Sequence, residues 1–272
     1  MLMSIISASR LRASAAIGDF IITVNSGSGS GFTIPTSGSG YNYGVTTSDG
    51  QTFTGQTGNL SISFPASNTV YTINISGSFP LISIENGSNR TRLLTIENLG
   101  IYSQGSVNQA RAFFGASNLV INASDSGFFG NVTDFNIAWT FCNSLTSFPL
   151  IDTGSGTTFQ FTWRGCTSLT SFPLIDTSSA TNFLQTWVSC SSLVVFPTNA
   201  FDSCLATNFA NAFVSTNLSQ ASIDGILISI NSNGTSNGTF GQSGGNAPSS
   251  TGESAITAMR SRGWSIVVTG GF

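Results

Sequence analysis

The side chains best placed to do chemistry are three cysteines, Cys142, Cys166 and Cys190, and two carboxylates, Asp152 and Asp176. Each set recurs at an offset of 24 residues: 142 to 166 to 190, and 152 to 176. Thiols at equivalent positions of a repeated unit could bridge. Three of them cannot pair fully, and disulfide geometry is narrow. The spacing therefore predicts a buried column of free thiols, which pack as small apolar groups. Cys204 lies outside this series and has no evident partner, and without a Cys-x-x-Cys pair metal or redox chemistry has no support. Stacking would bring Asp152 and Asp176 to within one repeat spacing, which could mimic the paired acids of a glycosidase. The simpler reading is stronger. Each Asp stands in Leu-Ile-Asp-Thr just after a Pro, where it caps a turn by accepting backbone N–H groups. A calcium ladder needs several carboxylates per turn, and here there is one.

What the chain lacks narrows the chemistry further. It has no histidine and no lysine; its eight basic residues are all arginine. That removes a His general base, a Ser-His-Asp triad, a Schiff-base lysine, a His-ligated zinc and a P-loop. The arginines are scattered as Arg10/Arg12, Arg90/Arg92, Arg111, Arg164 and Arg260/Arg262, against the clustering that nucleic-acid binding requires. No catalytic, cofactor-binding or metal-binding residue is expected, and no cofactor.

The elements that position these groups are three near-copies of one sentence. Phe135…Trp139…Cys142…Leu145…Phe148-Pro149 is followed by Phe159…Trp163…Cys166…Leu169…Phe172-Pro173 and by Phe183…Trp187…Cys190…Leu193…Phe196-Pro197. A fixed period of this length is the signature of a solenoid, whose units stack because none buries its apolar face alone. Phe and Trp four apart, then Trp and Cys three apart, make one face of a short helical or 3₁₀ arc. A turn and a short strand complete the unit, and Pro stops it. Degenerate copies flank the three. Phe113 and Phe213 take the Trp place, Ala116 takes the Cys place, and Leu119 and Leu218 take the Leu place, with Leu218 one residue early. About five units therefore run from about residue 90 to 220.

The Trp-x-x-Cys-x-Ser-Leu-Thr-Ser-Phe-Pro rhythm resembles the BspA-like leucine-rich repeat family, over about half of the chain. That family is a recognition scaffold of bacterial and protist surface proteins and of many bacteriophage genes, and its Cys-x-Ser-Leu segment packs inside. The positions matching its Cys are Cys142, Cys166 and Cys190. Residues 19–82 hold short alternating runs, Phe20–Val24, Phe32–Pro35, Tyr41–Val45, Leu60–Phe64 and Val70–Ser76, broken by Gly/Ser turns. They argue a small β-sandwich. The stretch resembles the PKD-like, immunoglobulin-type domain that often precedes such repeats: Asp49-Gly50 keeps that domain's turn, Thr47-Ser48 replaces its Trp-Gly, and Val70–Gly77 keeps its closing strand. Arg92–Glu97 reads as the first solenoid strand. After residue 220, Ile223, Ile226, Leu227 and Ile230 mark a helix face. A polar, Gly-rich excursion over 231–250 reads as flexible rather than as a binding tip. Thr251–Arg260 reads as a second helix, ended by Gly263, and Trp264–Val268 as a closing strand.

The fold class expected is thus mainly β with short helices: an N-terminal segment (1–18), a PKD/Ig-like β-sandwich (19–82), a leucine-rich-repeat-type solenoid of 24-residue units (83–220) and a C-terminal cap (221–272). Charged residues are only 7%, net charge is −3, and Ser, Thr, Asn and Gly supply the polarity. Such a surface suits a packed particle component better than a freely soluble protein. Met1–Ala16 does not read as a signal peptide, because Arg10 and Arg12 follow the short apolar run instead of preceding it. No stretch is long and apolar enough for a membrane span, and Val268–Phe272 is no sorting tail. Together with the resemblance, these features imply a bacteriophage virion protein, a fibre, spike or capsid decoration located in the virion. Its partners would be other virion proteins, through residues 1–18, and a host-surface glycan or protein. It would be a homo-oligomer, and not an enzyme. The rival expectation is a bacterial cell-surface adhesin.

Overall fold

A computed structural model describes residues 18–85 and 89–272. The expected N-terminal segment, apart from Gly18, lies outside the described residues, as do Arg10 and Arg12. The described chain is mainly β, with two short helices.

Alternation builds the first part. In β1 (Phe20–Asn25) the inward residues Phe20, Ile22 and Val24 are buried, and in β6 (Val70–Ser78) so are Tyr71, Ile73 and Ile75. The two strands pair antiparallel with Ile22 opposite Ile73. β3 (Asn42–Thr47) adds to β6, and β4 (Thr52–Gln56), which alternation alone did not reveal, adds to β3. On the other side, β7 (Leu93–Asn98) pairs antiparallel with β1, and β8 (Val120–Ile121) pairs parallel with β7. The sheet order is β4-β3-β6-β1-β7-β8, so one sheet continues across residues 82/83. β2 (Gly31–Ile34) and β5 (Leu60–Ser63) form a separate antiparallel pair, and their Phe32, Ile34, Leu60 and Ile62 join the same continuous core.

From β8 onward the pairing is parallel and periodic. Isolated bridges link Asn108 to Asp134, Asp134 to Thr158, Thr158 to Asn182 and Asn182 to Asn208. After each bridge, every second N–H reaches the next unit. Phe135, Ile137, Trp139 and Phe141 donate to the carbonyls of Thr158, Gln160, Thr162 and Arg164 at 2.8–3.0 Å. Phe159, Phe161, Trp163 and Gly165 do the same toward Asn182, Leu184, Thr186 and Val188. The intervening N–H groups turn back three residues, as Ala138 does to Phe135 and Cys142 to Trp139.

This corrects the helical arc expected over Phe-x-x-x-Trp-x-x-Cys. The three-residue back-bonds are present, but Ile137 and Phe141 sit at φ 61° and 62°, and Phe161 and Gly165 at 59° and 73°. A left-handed residue at every fourth position breaks any helix. The result is a run of linked tight turns whose free N–H groups bond sideways to the next unit. Non-glycine residues hold this conformation because the lateral bonds on both sides over-determine it. The short strand expected before Pro is likewise reduced, to lateral bonds such as Thr170 N–H to Thr146 O and a single bridge between Ser171 and Val195.

At the C-terminal end β9 (Asn208–Phe213), β10 (Thr239–Gln242) and β11 (Ser265–Val267) form a parallel sheet in the order β11-β10-β9. The excursion read as flexible over 231–250 therefore contains the middle strand of that sheet, with Phe240 and Gln242 buried. α1 (Gln220–Ser232) and α2 (Ser250–Ser261) fall where periodicity placed them. Ile223, Ile226, Leu227 and Ile230 of α1 are buried. Ser219 and Ser249 cap the two helices, each accepting a backbone N–H through its hydroxyl. Asp224 of α1 accepts from the N–H and hydroxyl of Ser249, so the cap of α2 is tied to α1.

Candidate binding face

The repeated residues line up as columns inside the stack. Phe135, Phe159, Phe183 and Phe209 follow one another at ring distances of 5.1, 5.4 and 5.0 Å, with planes within 9° of parallel. Phe113, Trp139, Trp163, Trp187 and Phe213 make a second column at 5.9, 5.8, 5.7 and 4.8 Å. Phe148, Phe172 and Phe196 make a third, perpendicular to the indoles. These spacings equal the usual distance between paired strands or exceed it by up to about 1 Å, so one lateral hydrogen-bond register sets both backbone and rings. The indole N–H groups of Trp139, Trp163 and Trp187 are buried without an acceptor.

The cysteine column is present as predicted. Cys142, Cys166, Cys190 and also Cys204 are free and buried. Each column thiol donates to a carbonyl one unit back: Cys142 to Phe113, Cys166 to Trp139, Cys190 to Trp163, at 3.3, 3.2 and 3.0 Å. Burial pushes all four thiols up, Cys190 to about 12. They are thus held protonated and unreactive, because the thiolate is the nucleophile. The two aspartates cap turns, as read from sequence. Asp152 accepts the Gly154 N–H at 3.2 Å and Asp176 the Ser178 N–H at 2.9 Å. Both are exposed on the surface of the stack.

Threonines continue the ladder outside. Thr157 and Thr181 hydroxyls each donate, at 3.0 Å, to the carbonyl of the equivalent Thr one unit back. Thr162 and Thr186 do the same from inside, to Phe135 and Phe159. Neutral side chains thus saturate the stack's backbone, which explains why Asp152, Arg164 and Asp176 are the only charges between residues 135 and 197.

One face departs from this uniformity. The outward residues of the linked turns are Arg111, Phe114 and Gly115 in the first unit, Ile137 and Phe141 in the second, Phe161 and Arg164 in the third, and Gln185, Val188 and Ser189 in the fourth, while Thr140 and Gly165, at the corresponding places, are buried. The three full units share every ring, thiol and leucine of the inward columns yet differ at each of these positions. Phe141 is 43% exposed and lies 6.0 Å from Phe114. The Arg164 guanidinium sits 5.6 Å from the Phe161 ring and 6.0 Å from Phe141, within cation–π range of both. Arg111 lies over Phe114 at 5.9 Å and forms a 3.0 Å ion pair with Glu85. Sequence reasoning missed this cluster. Its signal was available in comparing the units where they disagree instead of where they agree.

Two glycines make room for the cluster. A Cβ on Gly165 would meet the Phe141 ring at 2.4 Å, and one on Gly115 would meet Arg90 Cδ at 3.0 Å. A separate neutral cleft of about 690 Å³ lies between the 37–40 turn and the first unit, lined by Ser37, Ser39, Ser78, Gln104, Ser106 and Asn108 among others. Among the described residues no cluster of His, Cys, Asp and Glu could hold a metal ion, and no helix is long and apolar enough to cross a membrane. Comparison with models of protein families, with curated proteins and with solved structures yields no match.

Proposed function

We propose that this chain is a BspA-like leucine-rich-repeat solenoid, preceded by a PKD-like β-sandwich over 19–82 and closed by a cap over 221–272, that serves a bacteriophage particle as a fibre, spike or capsid-decorating recognition module. It works as a binding surface and not as an enzyme. The observation that carries this reading is the contrast within the repeats: units that agree at every inward ring, thiol and leucine differ on the outer turns at Ile137/Phe161/Gln185, at Arg164/Val188 and at Phe141/Ser189. A rigid interior with a diversified outer face is the division of labour of a recognition scaffold. The low charge and the Ser/Thr-saturated backbone support life within an assembly, where neutral edges pair with neighbours. In this reading residues 1–18 dock on other virion proteins, and several copies assemble on each particle.

Gold-antibody labelling of purified particles and of cells from the same culture tests it. Label at a tail or fibre tip is the expected result and makes host attachment the working mechanism. Label over the head makes the protein a decoration. Label on cell envelopes with none on particles contradicts the virion reading and favours a bacterial surface adhesin.

A further inference from the structure

We infer that the Phe114–Phe141–Phe161 cluster with Arg164 binds an acidic polysaccharide, one whose sugars carry carboxylate groups. The inference rests on the recognition reading above and names its ligand class. Three observations converge on it. Phe141 is exposed and Phe114 and Phe161 are half-buried, so part of each ring is open to the C–H face of a pyranose. Phe141 is held over Gly165, where a Cβ would meet its ring at 2.4 Å, so the platform exists before a ligand arrives. Arg164 is poised beside two rings, 5.6 and 6.0 Å away, and among the described residues its guanidinium makes no hydrogen bond or ion pair.

That last point separates Arg164 from most other described arginines. Arg92 donates to the Asn25 and Ser26 carbonyls, Arg260 to the Ile266 and Phe272 carbonyls, and Arg262 to Asn231 and the Thr235 carbonyl. Their cations are spent on the fold. The Arg164 fork is left to bind a carboxylate in two parallel hydrogen bonds. Arg90, exposed and lying against Gly115, and Arg111 extend the positive edge. Two carboxylates border the face. Glu85 is paired with Arg111, and Asp134 accepts the Asn136 N–H at 2.8 Å. In a chain of net charge −3 this is a local reversal of sign, which attracts an anionic ligand. The rungs are 5–6 Å apart by their ring columns, close to the advance of an extended pyranoside chain per sugar. Successive rungs can therefore meet successive sugars.

The test is affinity electrophoresis of the full chain through gels containing polygalacturonate, with dextran as the neutral sugar and polyglutamate as the acidic chain without sugar rings. Retardation by polygalacturonate alone is expected. Arg164→Gln abolishes it, Arg164→Lys restores part of it, and Phe141→Ala weakens it, while each variant keeps the parent's thermal midpoint. No retardation, equal retardation by polyglutamate or dextran, or an unchanged Arg164→Gln overturns the inference. Equal retardation by polyglutamate points to an acidic protein as the partner. Particle labelling is independent of these outcomes: label on particles without polygalacturonate binding removes the ligand class alone, and its absence from particles removes the virion reading.

Discussion

Gly165 sits at φ 73°, yet its equivalents one unit either side are Phe141 at 62° and Ser189 at 61°. The left-handed turn is therefore open to ordinary side chains, and glycine is needed for a different reason, the Phe141 ring lying on its α-carbon. Gly165→Ala should cost about 1–2 kcal/mol, the scale of a left-handed β-carbon or a modest overpacking. The cost should shrink in a Phe141→Ala background. Denaturant melts of the four combinations check this, and an equal cost in both backgrounds would show that the ring is not the obstacle. The thiols and phenols carry a second prediction. Burial raises the column thiols, Cys190 to about 12, and the Tyr43 phenol to about 12, and it raises the buried Tyr102 phenol as well. An acid whose folded pKa is raised contributes stability that is fully present below its unfolded pKa and lost as pH rises toward the folded one. The unfolded values are about 8.5 for Cys and 10 for Tyr. Under reducing conditions the guanidinium midpoint should hold up to about pH 8 and fall steadily above it, by about 1.4 kcal/mol per pH unit for each ionising thiol. A midpoint unchanged at pH 10 would contradict the buried thiol column.

Legibility at the element scale follows the strength of the repeating signal. The inward columns were readable because identical contacts recur at a fixed offset, so packing imposes identical residues. α1 and α2 were readable from apolar spacing and from the serines that cap them. The linked turns were not, because Ile137, Phe161 and Gln185 carry no sequence mark of a positive φ; lateral hydrogen bonds, a tertiary effect, hold them there. β10 was hidden among glycines, since Thr239-Phe-Gly-Gln owes its strand to parallel neighbours on both sides. Arg164 and Phe141 escaped notice because a consensus discards the positions that vary. Stacking by nearest neighbours makes a further prediction. Removing residues 153–176, one whole unit, joins Asp152 to Thr177 and lets Trp139 stack on Trp187. This variant should fold cooperatively with reduced stability. Removing only 153–164 puts every later column out of register and should abolish folding. Circular dichroism and a thermal melt distinguish the two, and equal behaviour would contradict unit-by-unit stacking.

Across the whole molecule, an aromatic stack holds one register from β8 to β9, and this register sets the outward face. If the units were displaced relative to one another, neither the cation–π cluster nor the ligand inferred for it would survive. The indole column offers a direct reading, because Trp139, Trp163 and Trp187 lie 5.8 and 5.7 Å apart with planes 3° and 9° from parallel. Indoles this close couple their transitions, while Trp264, outside the column, contributes only an uncoupled background. Trp163→Phe should leave the fold intact, since Phe113 and Phe213 fill the same column and phenylalanine removes a buried N–H that has no acceptor. The decisive measurement is the circular dichroism of the indole bands in the parent and in Trp163→Phe. A stacked indole column gives a strong exciton couplet in the parent that collapses in the variant without loss of the cooperative melt. A parent spectrum with no couplet, or a couplet that survives removal of the middle indole, would contradict it.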